Sequence, residues 1–231
     1  MTRVPWWRTF GAAGALSGLY IALALLCLVR WHTPHPWVRL DVFAGSYFIL
    51  KALGSIHSTY SGREAFRSEK LRVEWWGMTS DPAAVRHTVL LMLGDLAVFF
   101  DYGHWHTMRA FEQPAIQSFG LAIYVLAKGW QMWTDAYLAN YFGNKQEAAA
   151  PRLMNQGPFR YIRHPRYAGV IAGKIGFAFI FASIFGWISA VAWTVVYVWK
   201  VSVEENHMRQ LLGVQYGSYA RTTARLIPGI Y

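Results

Sequence analysis

The sequence has a single cysteine, Cys27, and it sits inside an apolar run, so neither an internal disulfide nor a cysteine zinc site holds this chain together. Charge is scarce too. Asp, Glu, Lys and Arg make up 15% of the residues, too little to clothe a water-soluble domain of this size. Acids are scarcer still, 12 against 22 Lys and Arg, which leaves a formal net charge of +10. Repeats and low-complexity tracts are absent. What abounds is oily surface: 55% of the 231 residues are hydrophobic and 17% aromatic, more than one small core can bury. A lipid-facing exterior resolves that mismatch, and the twelve tryptophans and thirteen tyrosines suit the headgroup belts of a bilayer. The basic residues come in short runs between apolar stretches. That is the pattern of membrane topology determinants, and it argues against nucleic acid as a partner.

The apolar runs predict an all-α, polytopic membrane protein with about six transmembrane helices, a C-terminal hairpin and a short cytoplasmic tail. The first span covers residues 11–29, is introduced by Arg3, Trp6, Trp7 and Arg8, and reads as a retained anchor rather than a cleaved signal. Pro34 and Pro36 then break any helix. A second span, 37–57, carries Asp41 and Lys51. Residues 58–84 read as a mixed-charge loop with an interfacial piece around Trp75 and Trp76. The third span, 85–102, holds Asp95 and Asp101, and the fourth, 114–142, holds Lys128 and Asp135. After a polar linker at 143–156, residues 167–203 are too long for one span of about twenty residues and predict a hairpin turning near 183–186. Gly169 and Gly173, with Ala172 and Gly176 beside them, lay small residues along one side for close helix contact. Gly45, Gly54 and Gly94 are expected to serve packing. Residues 1–113 thus form N-terminal membrane helices, and 114–231 carry the motifs within the same membrane domain.

Counting Lys and Arg tests this layout. With both termini cytoplasmic, fifteen fall on the inner side and three, Arg30, Arg39 and Arg109, on the outer. Charges at membrane depth, namely Asp95, Asp101, Lys128, Asp135 and Lys174, are functional candidates, with an Asp135–Lys128 ion pair as the structural alternative. His104 and His106 stand two apart, which points their rings away from each other on a helix; no metal is expected.

The organising stretch is Gly157-Pro158-Phe159-Arg160-Tyr161-Ile162-Arg163-His164-Pro165-Arg166-Tyr167-Ala168-Gly169. Pro165 suits the first turn of a helix, and His164 before it is biased toward extended backbone. Free N–H groups and the guanidinium groups of Arg160, Arg163 and Arg166 then gather at one spot, an anion site. Glu204 and Glu205 close the hairpin on the same side. Two like charges at a helix C-terminus oppose its dipole, which calls for a cation beside them. Taken singly, Arg160 and Arg166 also fit topology and headgroup contacts, and a solvated Glu205–Arg209 pair at i,i+4 accounts for Glu205.

This run, followed by the apolar hairpin, the Glu pair, Tyr216, Tyr219 and Arg225-Leu226-Ile227-Pro228, resembles the isoprenylcysteine carboxyl methyltransferase and phospholipid methyltransferase superfamily over roughly residues 120–231. The resemblance implies an integral membrane methyltransferase that uses S-adenosylmethionine on a hydrophobic or amphipathic small-molecule or lipid-like acceptor. It also implies a cofactor set of Gly157, His164, Pro165, Tyr167, Gly169, Glu204 and Glu205; the residues themselves add Arg163 and Tyr161 to that set, and Arg163, Glu205 and Arg225 are the catalytic candidates. Physically, arginines take an anionic group and carboxylates an ammonium or hydroxyls, while Tyr161, Tyr167, Trp193 or Trp199 offer aromatic faces to a sulfonium. Neutralising Glu204 and Glu205 together is expected to abolish cofactor binding. The sequence departs from the family where an Arg-Val-Pro element is common, reading Thr222-Thr223-Ala224. The acceptor therefore stays open among a prenylcysteine carboxylate, an amine and a thiol, with Arg221 and Arg225 as substitutes. Membrane sterol reductases, which use NADPH, share part of this layout, but a Glu pair repels a phosphate-rich cofactor. A non-catalytic scaffold is the third reading.

Overall fold

The structure, a computed structural model, describes residues 18–30, 37–38, 41–66, 82–143 and 153–229. The expectations resting on Arg3 to Arg8, on Pro34 and Pro36, on Trp75 and Trp76 and on the linker's middle lie outside them. Among the described residues there are seven α-helices: α1 (Gly18–Cys27), α2 (Val42–Phe66), α3 (Pro82–Phe100), α4 (Pro114–Gly143), α5 (Pro165–Phe181), α6 (Ile184–Leu212) and α7 (Val214–Thr222). The strands are two-residue pieces, β1 (Val29–Arg30) and β2 (Trp37–Val38), paired antiparallel.

Where the structure describes them, the expected apolar stretches fall mostly on helices, with shifted ends. Residues 37–38 belong to the ribbon instead of the second span, because Asp41 starts α2: its Oδ1 accepts the N–H groups of Phe43 and Ala44, each at 3.0 Å, as a helix N-cap does. The same helix continues through residues 58–66, which the sequence reads as loop. Helical backbone satisfies its own polar groups, so a drop in side-chain hydrophobicity alone does not end it. α3 closes in a π-turn at Asp101–Trp105, and the hairpin turns where predicted, at Ala182 (φ 43°) and an extended Ser183. Ser183 carbonyl oxygen then accepts the N–H of Gly186 at 3.0 Å and starts α6.

α4 and α5 form the tightest contact. A Cβ on Gly176 would lie 2.8 Å from the carbonyl oxygen of Gly120, and one on Gly120 would lie 2.5 Å from Phe179 Cβ, so both positions are confined to glycine by backbone proximity. Gly45 and Gly94 do not serve packing as expected: nothing lies within 4 Å of a Cβ on either, and Gly54 meets only the Lys128 chain at 3.5 Å. Away from the motif end, α1, α2, α3, α4 and α5 enclose an aromatic core. The Tyr47 ring stands 5.1–5.9 Å from those of Phe48, Phe99, Tyr124, Phe177 and Phe181.

α6 is the helix among the described residues that is long and apolar enough to cross a membrane. Ile184, Ile188, Val191, Val195, Trp199 and Val203 follow one another at helical spacing and are all exposed, a continuous oily stripe. α6 does not stop near residue 203; it runs unbroken to Leu212 and ends at Gly213, φ 51°. Glu204 and Glu205 therefore lie two turns inside the helix, away from the negative end of its dipole, and the expected repulsion by that end is absent.

Candidate active site

The site begins with how the chain enters α5. Gly157, φ 58°, opens a short 3₁₀ turn (Gly157–Arg160) beneath the Tyr137 ring, and a Cβ there would meet that ring at 2.6 Å. The chain then runs alongside the tail: Ile162 and Ala224 form a parallel bridge, and the N–H groups of Arg163 and His164 donate to the carbonyls of Ala224 (2.8 Å) and Arg225 (3.0 Å). These amides are thus not free for an anion, contrary to the sequence reading. The reason is that Thr223 to Arg225 leave α7 extended and need partners for their own carbonyls. Pro165 sits at the first turn of α5 as predicted, and its carbonyl accepts Trp130 Nε1–H at 2.8 Å, which ties α4 to the entry. Tyr219 ties α7 to it as well, donating to the Phe159 carbonyl at 2.6 Å.

Around that entry the two charged motifs meet. Arg163 Nε donates to Glu205 Oε1 at 2.8 Å, and Arg225 Nε to Glu205 Oε2 at 3.1 Å. His164 Nε2 lies 3.4 Å from Glu205 Oε1, and Arg209 Nη2 lies 3.5 Å from Glu205 Oε2. The i,i+4 pair exists, but it is not a solvated one: Glu205 is 1% exposed and faces four cationic or proton-bearing side chains. Burial raises its carboxyl pKa. Hydrogen bonds from His164 and Arg163 and the charges of Arg163 and Arg225 outweigh that and hold it at about 2. Burial lowers the His164 imidazole, yet the hydrogen bonds and charges of Glu204 and Glu205 leave it raised above its ordinary value. Arg163 also spans to the end of α7, where Nη1 donates to the carbonyls of Ala220 (2.8 Å) and Thr223. No spacing rule announces these last partners, because they are backbone atoms.

Glu204 lies one residue away and is more open. One oxygen accepts the Tyr167 hydroxyl and the other stands 3.5 Å from His164 Nδ1, with the side chain 27% exposed. An aromatic ladder continues from it along the hairpin. The His164 and Tyr167 rings are parallel within 3° at 5.8 Å, Tyr167 meets Tyr197 at 4.7 Å, and Tyr197 stacks on Trp193 at 5.6 Å. No motif marks Tyr197 in the sequence; its signal is spacing alone, four residues after Trp193 and seven before Glu204 on the face both share. Trp199 points elsewhere, 57% exposed. Tyr161 is exposed and its ring pairs with Trp130 and Trp133, about 6.5 Å away, and not with the ladder. Gly169 faces α4, where a Cβ would meet Gln131 Cγ at 2.7 Å. Arg166 binds Asp135 at 2.9 Å, so Asp135 is not the partner of Lys128, which instead donates to Gln131 Oε1 at 3.1 Å. Arg166 and Asp135 approach from two different helices, which i,i+7 spacing along α4 alone does not show. Beside the cluster lies an open cavity of about 440 Å³, lined by Arg163, Arg221, Arg225 and the turn between them.

The fold and site together define a helical protein with a charged and aromatic cluster closing one end of an apolar hairpin. Residues 116–215 match the family model described as phospholipid methyltransferase, which covers α4 to the start of α7. The chain is 35% identical over 81 residues to protein-S-isoprenylcysteine O-methyltransferase A of Arabidopsis thaliana, which covers 33% of this chain and 39% of that protein. It is 30% identical over 82 residues to the B form from the same plant, 33% of this chain and 40% of that protein. A wider match, 24% identical over 199 residues, is to methanethiol S-methyltransferase 1 of Bradyrhizobium diazoefficiens and covers 78% of this chain and 65% of that protein. The resemblance read from the motifs is therefore to methyltransferases, and the chain spans from two fifths to just under two thirds of the length of these relatives.

Proposed function

We propose that this chain is an integral membrane methyltransferase that takes S-adenosylmethionine at the Glu204–His164–Tyr167 cluster and methylates a hydrophobic or amphipathic acceptor. The observation that carries the reading is the meeting of opposite charges and parallel aromatic faces at one end of the α5–α6 hairpin. The residues present fit such a cofactor. Trp193 Nε1 is buried with no hydrogen-bond partner among the described residues, Glu204 keeps an exposed carboxylate edge, and the Tyr167–Tyr197–Trp193 faces favour a cation. When bound, the cofactor supplies an electrophilic methyl carbon on its sulfonium.

Glu204 is the carboxylate for the ammonium or the ribose hydroxyls. Glu205, enclosed by Arg163, His164 and Arg225, positions those three groups. Arg163 is 8% exposed and engaged with Glu205 and two carbonyls, so Arg225, 29% exposed beside the cavity, is the guanidinium that meets an anionic group. Gly157, Pro165 and Gly169 shape the entry and its packing on α4, and Tyr161 with Trp130 and Trp133 forms the outer aromatic edge. No covalent enzyme intermediate is needed, since alignment and dry surroundings supply most of what displacement at a methyl carbon requires.

The membrane setting is part of the same reading. Residues 184–203 of α6 suffice for a hydrocarbon layer of about 30 Å, which leaves Glu204 and Glu205 at its boundary. Large apolar side chains are also exposed on α1 to α4, among them Leu26, Ile49, Leu90 and Leu126. We take the chain to span the bilayer about six times, with both termini and the site on the cytoplasmic side, as the distribution of Lys and Arg indicates.

Thermal stability of the full chain in detergent tests the reading. S-adenosylhomocysteine raises the melting temperature and NADPH does not; stabilisation by NADPH alone, or by neither, contradicts it.

A further inference from the structure

The open cavity beside the Arg163–Glu205 contact, about 440 Å³, falls in the size range of ligand sites, about 300–1,000 Å³. Its walls carry charge of one sign. Residues 220–225 line it with Arg163 and Gly229, so three guanidinium groups, those of Arg163, Arg221 and Arg225, face it and no carboxylate among the described residues does. A guanidinium keeps its charge at any pH the protein meets, so these walls do not titrate. Their neighbours do not neutralise them either. Arg163, Arg209 and Arg225 share one carboxylate, Glu205. Among the described residues Arg221 makes a single hydrogen bond, 3.2 Å to Ser218 Oγ, and no ion pair. The carbonyls of the turn are occupied as well: Arg163 Nη1 takes those of Ala220 and Thr223, and the N–H groups of Arg163 and His164 take those of Ala224 and Arg225. Four positive charges thus stand around one enclosed negative charge. Glu204, Tyr167, Tyr197 and Trp193 do not line the cavity; it joins their cluster through Arg163 and Arg225, which both hold Glu205. With α6 leaving the hydrocarbon near residue 203, α7 and the tail lie at headgroup depth. Each shows an oily side chain there, Val214 and Ile227, both exposed, as elements resting on a lipid surface do.

We infer that this cavity binds the phosphate of an anionic phospholipid headgroup, with Arg221 and Arg225 as its guanidinium forks and Arg163 as the wall that joins them to the hairpin. The anionic group assigned above to Arg225 is this phosphate. The inference rests on the membrane setting of the proposed function and not on the identity of the acceptor. A phosphodiester presents the two-oxygen edge that a guanidinium fork matches, and basic pockets at the cytoplasmic boundary of a bilayer attract anionic headgroups. A zwitterionic lipid fits less well, because every charged wall repels its ammonium. The lipid is a bound ligand and not the methyl acceptor: a phosphatidylglycerol headgroup carries no amine, thiol or carboxylate, and the aromatic ladder lies outside the cavity. Since Arg163 and Arg225 touch both the cavity and Glu205, the bound phosphate fastens α7 and the tail against the hairpin.

The test titrates the full chain in a neutral detergent with short-chain phosphatidylglycerol, short-chain phosphatidylcholine and inorganic phosphate, and reads calorimetric binding. Phosphatidylglycerol binds about tenfold more tightly than either of the others, and its affinity falls as salt is added. Arg221→Gln, at an exposed side chain, weakens phosphatidylglycerol about fivefold and leaves the affinity for S-adenosylhomocysteine unchanged; Arg221→Lys keeps the charge and recovers part of the loss. Arg160→Gln, at an exposed guanidinium outside the cavity, changes neither. Inorganic phosphate binding as tightly as phosphatidylglycerol gives the cavity to a soluble phosphate compound and overturns the lipid assignment. Equal binding of phosphatidylcholine, or equal losses in Arg221→Gln and Arg160→Gln, reduces the effect to a general basic surface and overturns the site. An unmodified protein that binds phosphatidylglycerol but not S-adenosylhomocysteine overturns the methyltransferase reading and leaves this inference standing.

Discussion

Arg163 and Glu205 stand 42 positions apart in the sequence and 2.8 Å apart in space, Nε to Oε1, with both side chains almost wholly buried. The pair closes the α5–α6 hairpin at its charged end and, through Ala220 and Thr223, holds α7 and the tail against it. Everything else at the site is arranged around this contact: His164 follows Arg163, Glu204 precedes Glu205, and Arg225 reaches the same carboxylate from the tail.

Removing one member of a buried pair leaves the other charge uncompensated, at a cost of about 3–5 kcal/mol. Arg163→Met and Glu205→Gln are each expected to destabilise the protein strongly, and a double-mutant cycle to show a coupling of about 1–3 kcal/mol. Additive losses in thermal or denaturant unfolding would mean the contact does not join the two motifs. It follows that neutralising Glu204 and Glu205 together mixes a binding effect with a folding effect, and Glu204→Gln alone is the informative variant.

The pH dependence has two limbs. The Glu205 carboxyl falls from its ordinary 4.5 to about 2 on folding, so its contribution to stability is full above about 4.5 and is lost as the pH drops through 2. The His164 imidazole is raised from 6.5, so its contribution is full below 6.5 and is lost as the pH climbs through the folded value. Melting temperature against pH is expected to fall at both ends. Glu205→Gln flattens the acid limb and His164→Gln the upper one; an upper limb unchanged in His164→Gln contradicts the assignment.

The sequence made the hairpin, its turn, the small-residue face of α5 and the convergence of the Arg-His and Glu-Glu motifs legible, because each rests on length, spacing or charge within one segment. What it hid depends on neighbours. Gly120 looks no different in sequence from Gly45, yet one is locked against α5 and the other is open, since helix proximity is a tertiary property. Lys128 and Asp135 looked like partners until Arg166 arrived from another helix. The continuation of α2 through residues 58–66 was hidden because polar residues carry no apolar period, although backbone hydrogen bonding continues regardless.

Those glycines give a direct packing test. Gly176→Ala places a methyl 2.8 Å from backbone atoms of Gly120 and Tyr124 and is expected to cost about 1–3 kcal/mol, whereas Gly45→Ala is neutral or slightly stabilising. Chemical unfolding of the two variants side by side reads the difference, and equal stability would contradict the close α4–α5 approach.

The aromatic ladder makes a prediction about binding and not about folding. Tyr197→Leu removes the ring between Tyr167 and Trp193 and is expected to weaken S-adenosylmethionine binding about tenfold, consistent with a cation–π loss of about 1–2 kcal/mol. Tyr197→Phe keeps the ring and retains the affinity. A calorimetric titration in which both variants bind like the unmodified protein removes the ladder from the site.

The most direct measurement is photo-crosslinking of radiolabelled S-adenosylmethionine to the full chain, followed by mapping of the labelled peptide. Label is expected within residues 157–169 or 193–209, the two stretches that Arg163 and Glu205 bring together, and is expected to be lost on competition with S-adenosylhomocysteine and in Glu204→Gln. Label confined to peptides of α1 to α3, or undiminished by the competitor, would contradict the placement of the cofactor at the closed end of the hairpin.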